Sequence, residues 1–218
     1  MTSHGNASCG HESGWAEVRA ILLQLVRESE VPLFSSRMAH VHRVLVIGSC
    51  LGMPQLDALH RTASDQRLAI VALNRAETCG GVPALCAGLT AAGSLEEIPL
   101  PNGWAECILG HCVLDELQRP LAAFTELART AATGATICLS GPASAGSSLT
   151  RVAGVRATVW PMHRLIDDLC ASGFADISTS DLTATVVERL PQGRLAAFGF
   201  SADVRWIILE GRRKPIHA

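Results

Sequence analysis

Tyrosine is absent from the 218 residues, and aromatic residues together make up 4%. No phenol is therefore available as an acid, a base or a hydrogen-bonding aromatic. Charge is scarce as well: 17% of residues are charged, 18 basic against 20 acidic, for a net charge of −2. That balance lays down no broad electrostatic footprint for nucleic acid. With 48% apolar residues and a positive mean hydropathy, it also excludes a disordered chain. No apolar run approaches the roughly 20 residues needed to cross a bilayer. The opening Met1-Thr2-Ser3-His4-Gly5-Asn6 has neither a basic nor an apolar region, so no secretory signal is visible. CxxC pairs are missing, although the chain holds 8 Cys and 8 His. Disulfide frameworks belong to short secreted chains; the expectation here is reduced, mostly buried cysteines acting as small apolar residues. One soluble, cytoplasmic domain over 14–218 is expected behind a flexible tail at 1–13.

What is present alternates between two periods. Trp15, Val18, Leu22 and Leu25 share one face of a helix over 15–28, which would cover the main sheet. Val44-Leu45-Val46-Ile47 is a continuous β-branched run ending at Gly48, as expected of a strand buried on both faces. Pro54 then opens a helix to about Arg61. Further strands are expected at 68–73, 94–98, 106–109, 135–139, 177–180 and 204–209, with a short helix at 84–89. Pro120 starts a helix whose face is Leu121, Phe124, Leu127 and Ala131, closing near Gly134. A Gly/Ser-rich loop at 144–150 precedes a helix from Pro161, with Met162, Leu165, Ile166 and Leu169 inward and Gly173 at its end. Such alternation predicts an α/β fold, a parallel sheet covered on both faces.

In that architecture ligands bind beyond the carboxyl ends of the strands. Five segments should converge there: 48–52, Asn74-Arg75, Ser94-Leu95, Gly110-His111-Cys112 and Ser140-Gly141. The loop at 48–52 reads either as backbone N–H groups presented to a ligand or as a plain strand-to-helix turn. It departs from GxGxxG at Cys50 and Met53, and Asn74 stands where a nicotinamide dehydrogenase would carry an acid. The segment at 140–144 is no GxSxG nucleophile elbow. Cys50, His111 and Cys112 offer soft ligands of the kind zinc or copper selects, but a fourth ligand is not apparent. Neither His4, Cys9 and His11 nor His40 and His42 match a metal module, so no metal is assigned. His111 is the candidate general base, histidine being the residue type most often used to take and return a proton. The alternative is a histidine that fixes its own loop. Asp115 and Glu116 read as solvated or capping residues of the next helix, and Arg212, Arg213 and Lys214 as a solvated cluster.

The stretch GSLEEIPLPNGWAECILGHCVL at 93–114 is similar to GDAEELPFPDGSFDVVLSSHVL of the class I S-adenosylmethionine-dependent methyltransferases. Val44-Leu45-Val46-Ile47-Gly48-Ser49-Cys50-Leu51-Gly52 likewise resembles that family's VLDxGxGxG. The resemblance runs from about Arg43 to Pro215, and its type within the family acts on small molecules. It implies a Rossmann-like doubly wound seven-stranded sheet, mostly parallel, with an antiparallel last strand at 204–209. It further implies S-adenosylmethionine as cofactor, held by Gly48, Ser49, Cys50, Gly52, Asn74, Ser94, Leu95 and Gly110, with His111 where donor and acceptor meet. Arg151, Arg156, Trp160 and His163 would line an acceptor pocket or, alternatively, form a lid with its basic side in water. The acceptor would be a small molecule, free or delivered on a partner protein, with no nucleic acid or membrane involved. Four positions depart from the family pattern: Val46 and Cys50 in the first motif, Asn74 for the ribose carboxylate, and Ser94 for the acid facing the adenine amino group. These departures leave an alternative, a methyltransferase fold without donor binding that acts as a binding or scaffold subunit.

Overall fold

The computed structural model describes residues 33–34, 36–37, 40–47, 69–74, 89–92, 94–111, 113–146, 150–151, 158–184 and 203–215. The expected helices at 15–28 and 54–61, the loop at 48–52 and most of the expected helix at 84–89 lie outside the described residues. In chain order the elements are β1 (Arg43–Ile47), β2 (Ala69–Asn74), β3 (Leu89–Ala92), β4 (Ala105–Gly110), α1 (Pro120–Thr130) and β5 (Ala131–Ser144). They continue with β6 (Thr150–Arg151), β7 (Thr158–Pro161), α2 (Met162–Ala171), β8 (Phe174–Asp181) and β9 (Val204–Arg213).

The strands join into one mixed, mostly parallel sheet. β3, β2, β1, β4 and β5 lie side by side in that order and run parallel. β9 then pairs with β5 in the opposite direction, and β8 pairs antiparallel with β9. The reversed last strand is therefore as expected. The strand count is not: nine strands are described where seven were expected. The two additions are β6 and β7, from the stretch read as loop and lid. β7 pairs with Ala143 and Ser144 at the far end of β5, and β6 pairs with β7.

A second correction concerns the third strand. It runs over Leu89–Ala92, with Ala92 opposite Asn74, and not over 94–98. There the Glu97 N–H donates to Ser94 O at 3.0 Å, and the Glu96 N–H donates to Ser94 Oγ at 3.2 Å. A serine that satisfies the backbone locally competes with strand pairing, and the segment becomes a turn.

Burial follows the pleat. Leu45, Ile47, Ile108, Ile137, Leu139, Ile207 and Leu209 face a core built with α1 and α2. Val44, Val46, Cys107, Leu109, Cys138 and Ile208 belong to a second cluster with Phe34. Alternate residues of the same strands enter different clusters because successive side chains point to opposite faces. α1 buries Pro120, Ala123, Phe124, Leu127 and Ala128, whereas Leu121, expected inward, is 42% exposed. Phe124 and Leu127 lie inward as expected, and Pro120, Ala123 and Ala128 complete the buried stripe in place of Leu121. α1 also stops at Thr130; Ala131 is already extended and starts β5. In α2, Leu165 and Leu169 are buried, and Met162 and Ile166 pack partly against the same core.

The basic residues near the end of β9 are not all solvated. Arg213 Nη1 donates to Gly173 O at 2.7 Å and Nε to Ala128 O at 3.1 Å, and its guanidinium lies 6.0 Å from the Phe174 ring centre. One cation thus reaches carbonyls at the C-terminal ends of both helices, where the helix dipoles favour positive charge. Among the described residues no helix is long and apolar enough to cross a membrane.

Candidate functional site

Register places the strand ends on one line. Ile47 lies opposite Leu73 of β2 and Gly110 of β4, and Gly110 lies opposite Leu139 of β5. Asn74 ends β2 one residue further on. The chain leaves β4 under restraint, because the His111 N–H donates to Ile47 O at 3.0 Å. The His111 side chain is buried, with 2% exposure. Gly110 has a packing reason of its own. A Cβ there would sit 2.5 Å from Leu139 Cδ2 and 2.7 Å from Val113 Cγ1.

β5 continues past Leu139, and this extension holds the chain that leaves β4. The N–H groups of Val113 and Leu114 both donate to Ser140 O, at 2.9 and 3.3 Å. Gly141 allows that contact: a Cβ there would meet the Leu114 backbone nitrogen at 3.0 Å. From the other side, the Thr158 N–H donates to Asp115 O at 3.4 Å and Trp160 Nε1 donates to Leu117 O at 2.8 Å. The turn after β4 is thereby clamped between β5 and β7.

Asp115 and Glu116, read as residues of a following helix, belong to this half-buried turn; the helix begins later, at Pro120. His111 thus leaves β4 beside Ile47, while the residues after it are tied to β5 through the carbonyl of the buried Ser140 and to β7 through the carbonyl of Asp115. The sequence put Asp115 and Glu116 on the helix, because no periodicity marks a turn held by backbone bonds to distant strands.

The remaining candidates separate. Ser94 is exposed and its hydroxyl holds its own turn, while Leu95 is half-buried against the main core. Val46 is buried in the second cluster beside Val44 and Cys107, where a carboxylate would be surrounded by apolar groups. Trp160 is tied to the turn after β4 by its bond to Leu117 O, whereas His163 is exposed on α2. Arg151 lies in β6. Gly48, Ser49, Cys50, Gly52, Cys112 and Arg156 fall outside the described residues. Among the described residues no three His, Cys, Asp or Glu side chains are grouped to hold a metal. Exposed His42 serves structurally, its N–H donating to Glu106 Oε2 at 2.7 Å.

No protein-family model matches the chain, and no curated protein matches it in sequence. Solved structures do match in fold. The 4+2 cyclase SpnF superposes with a TM-score of 0.62 at 18% identity, over 84% of this chain and 79% of its own. The O-methyltransferase of a trans-AT PKS multienzyme from Brevibacillus brevis, in complex with S-adenosyl-L-homocysteine, gives 0.68 at 11% identity, over 88% and 75%. A phosphoethanolamine N-methyltransferase of Haemonchus contortus gives 0.67 at 12% identity over 86% of this chain. This chain spans about half the length of that protein (53%). The fold is that of the class I S-adenosylmethionine-dependent methyltransferases.

Proposed function

We propose that this chain transfers a methyl group from S-adenosylmethionine to a small-molecule acceptor. The observation that carries the reading is the line of strand ends at Asn74, Ile47 and Gly110. They end together along one edge of the sheet, where ligands bind in open α/β folds, in a sheet whose last strand is reversed and whose fold matches that of proteins solved with S-adenosylhomocysteine. The residues fit such a donor in kind. Gly48, Ser49, Cys50 and Gly52 would meet its amino-acid part, Asn74 its ribose hydroxyls, and Ser94 and Leu95 its purine, with Gly110 at the floor. The fit is neutral throughout: Asn74 and Ser94 can accept and donate hydrogen bonds, but without the charge that makes such bonds strong.

S-adenosylmethionine, when bound, supplies a methyl group on a cationic sulfur that a nucleophile takes by in-line displacement. The chain's part is to position the acceptor and to receive its proton. His111, fixed at the end of β4 by its bond to Ile47 O, would take that proton from an acceptor hydroxyl or amine. The wall of β7 and the turn after β4 would keep water from that side.

Calorimetric titration with S-adenosylmethionine and S-adenosylhomocysteine tests the reading. Saturable binding is expected, weakened by Asn74→Ala. Asn74→Asp should tighten it by roughly tenfold, the equivalent of about 1.4 kcal/mol. His111→Gln should leave donor affinity near wild type while cutting turnover by about a hundredfold or more. Wild-type protein that binds neither compound at millimolar concentration would overturn the proposal and favour the scaffold alternative.

A further inference from the structure

We infer that Glu126 and Arg129 of α1 are positioning residues for the methyl donor, acting through the loop at 94–103; this rests on the donor reading above. All five guanidinium N–H groups of Arg129 are engaged. Nε and one Nη2 hydrogen go to Glu126, at 2.8 and 2.7 Å to its two oxygens. The others go to Leu100 O at 2.8 Å, Asn102 Oδ1 at 2.7 Å and Ile98 O at 2.9 Å. Glu126 Oε1 also accepts the Ile98 N–H at 2.8 Å, and the Gly103 N–H donates to Arg129 O at 2.9 Å. One ion pair on one helix turn thus reads the loop at Ile98, Leu100, Asn102 and Gly103.

The loop needs such support. Pro99 and Pro101 have no N–H to offer; between them the Leu100 N–H reaches back to Ile98 O at 2.7 Å, and Arg129 supplies the further donors to Ile98 O and Leu100 O. The N-terminal part of the same loop carries Ser94 and Leu95, the proposed purine contacts. Neither is charged, so recognition there depends on where a neutral hydroxyl and an apolar side chain are held, and such a contact is weakened when its backbone is left to be ordered on binding. Arg129 has no donor left for a ligand; its action passes through the loop. Lysine could not replace it, since an ammonium has three donors radiating from one point where Arg129 uses a planar fork.

The test compares wild type with Arg129→Lys and the milder Glu126→Gln. Each is titrated with S-adenosylhomocysteine and with S-inosylhomocysteine, which carries hypoxanthine in place of adenine, and amide exchange is followed with no ligand present. Arg129→Lys should weaken S-adenosylhomocysteine by roughly tenfold and move the adenine preference toward unity. The Ile98 and Gly103 amides should exchange faster while those of β1 and β4 keep their protection. Glu126→Gln should show the same changes to a lesser degree. Equal weakening for both purines, unchanged affinity despite faster exchange, or a wild type indifferent to the purine would overturn the inference. A wild type that binds neither compound would overturn the donor reading itself, and a protected Ile98 amide would then show that the loop was still held.

Discussion

Gly173 and Arg213 show how much one residue can decide. Gly173 holds φ +99° at the end of α2, and a Cβ there would fall 2.0 Å from Arg213 Nη1. The glycine is required twice, for its backbone conformation and for the guanidinium that takes its place beside it. Gly173→Ala should cost about 2 to 4 kcal/mol in urea unfolding, because backbone strain and displacement of Arg213 add together. A loss below about 1 kcal/mol would show that Arg213 moves aside freely. The glycine was legible in the sequence as a helix stop; the partner was not. Arg213 sits in a basic run that looks solvated, and its role appears once β9 is laid between the ends of two helices.

At the level of the element, carboxylates tie neighbouring pieces together. Glu106 at the start of β4 accepts the His42 N–H at 2.7 Å and pairs with Arg43 of β1 at 3.1 Å. The His42 bond foremost, with help from Arg43, holds its carboxyl below the usual value of 4.5. Glu126 is lowered in the same way, chiefly by Arg129. A carboxyl lowered in the folded state adds stability above its unfolded value, and that stability is lost as pH falls through the folded one. Glu106→Gln and Glu126→Gln should therefore destabilise the protein at neutral pH, with the gap to wild type narrowing below about pH 4.5. Urea midpoints measured across that range check this, and a gap that stays constant with pH would refute it. Elements with strong periodicity were the legible ones: β1, β2, β4, α1 and α2 all stand near their expected places. β3 and β7 were misread, because four-residue strands carry little pattern and their pairing partners lie elsewhere in the chain.

Across the whole molecule, the central strands are where protection should be greatest. Cys107 and Cys138 are fully buried in β4 and β5, and burial pushes the Cys107 thiol up to about 12. Cys170 is exposed on α2. Under iodoacetamide, mapped by mass spectrometry, Cys170 should be modified in the native protein and Cys107 and Cys138 only upon global unfolding. Native-state labelling of Cys107 would mean that the sheet opens locally. The expectation of buried cysteines thus holds for Cys107 and Cys138 and fails for Cys170; Cys50 and Cys112, the two nearest the crevice by sequence, lie outside the described residues. By itself the sequence determined the alternating α/β order and the strands buried on both faces, since these depend on local hydrophobic period. It also placed Asn74, Gly110 and His111 at the carboxyl ends of strands, whereas Ser94, read as the start of a strand, follows the end of one. Only the tertiary structure decided that Gly110 is a packing glycine, that Asp115 belongs to a turn tied to β7, and that Glu126 and Arg129 hold the loop of Ser94. Those relations depend on register and on backbone hydrogen bonds between segments distant in the chain, for which a linear pattern has no period.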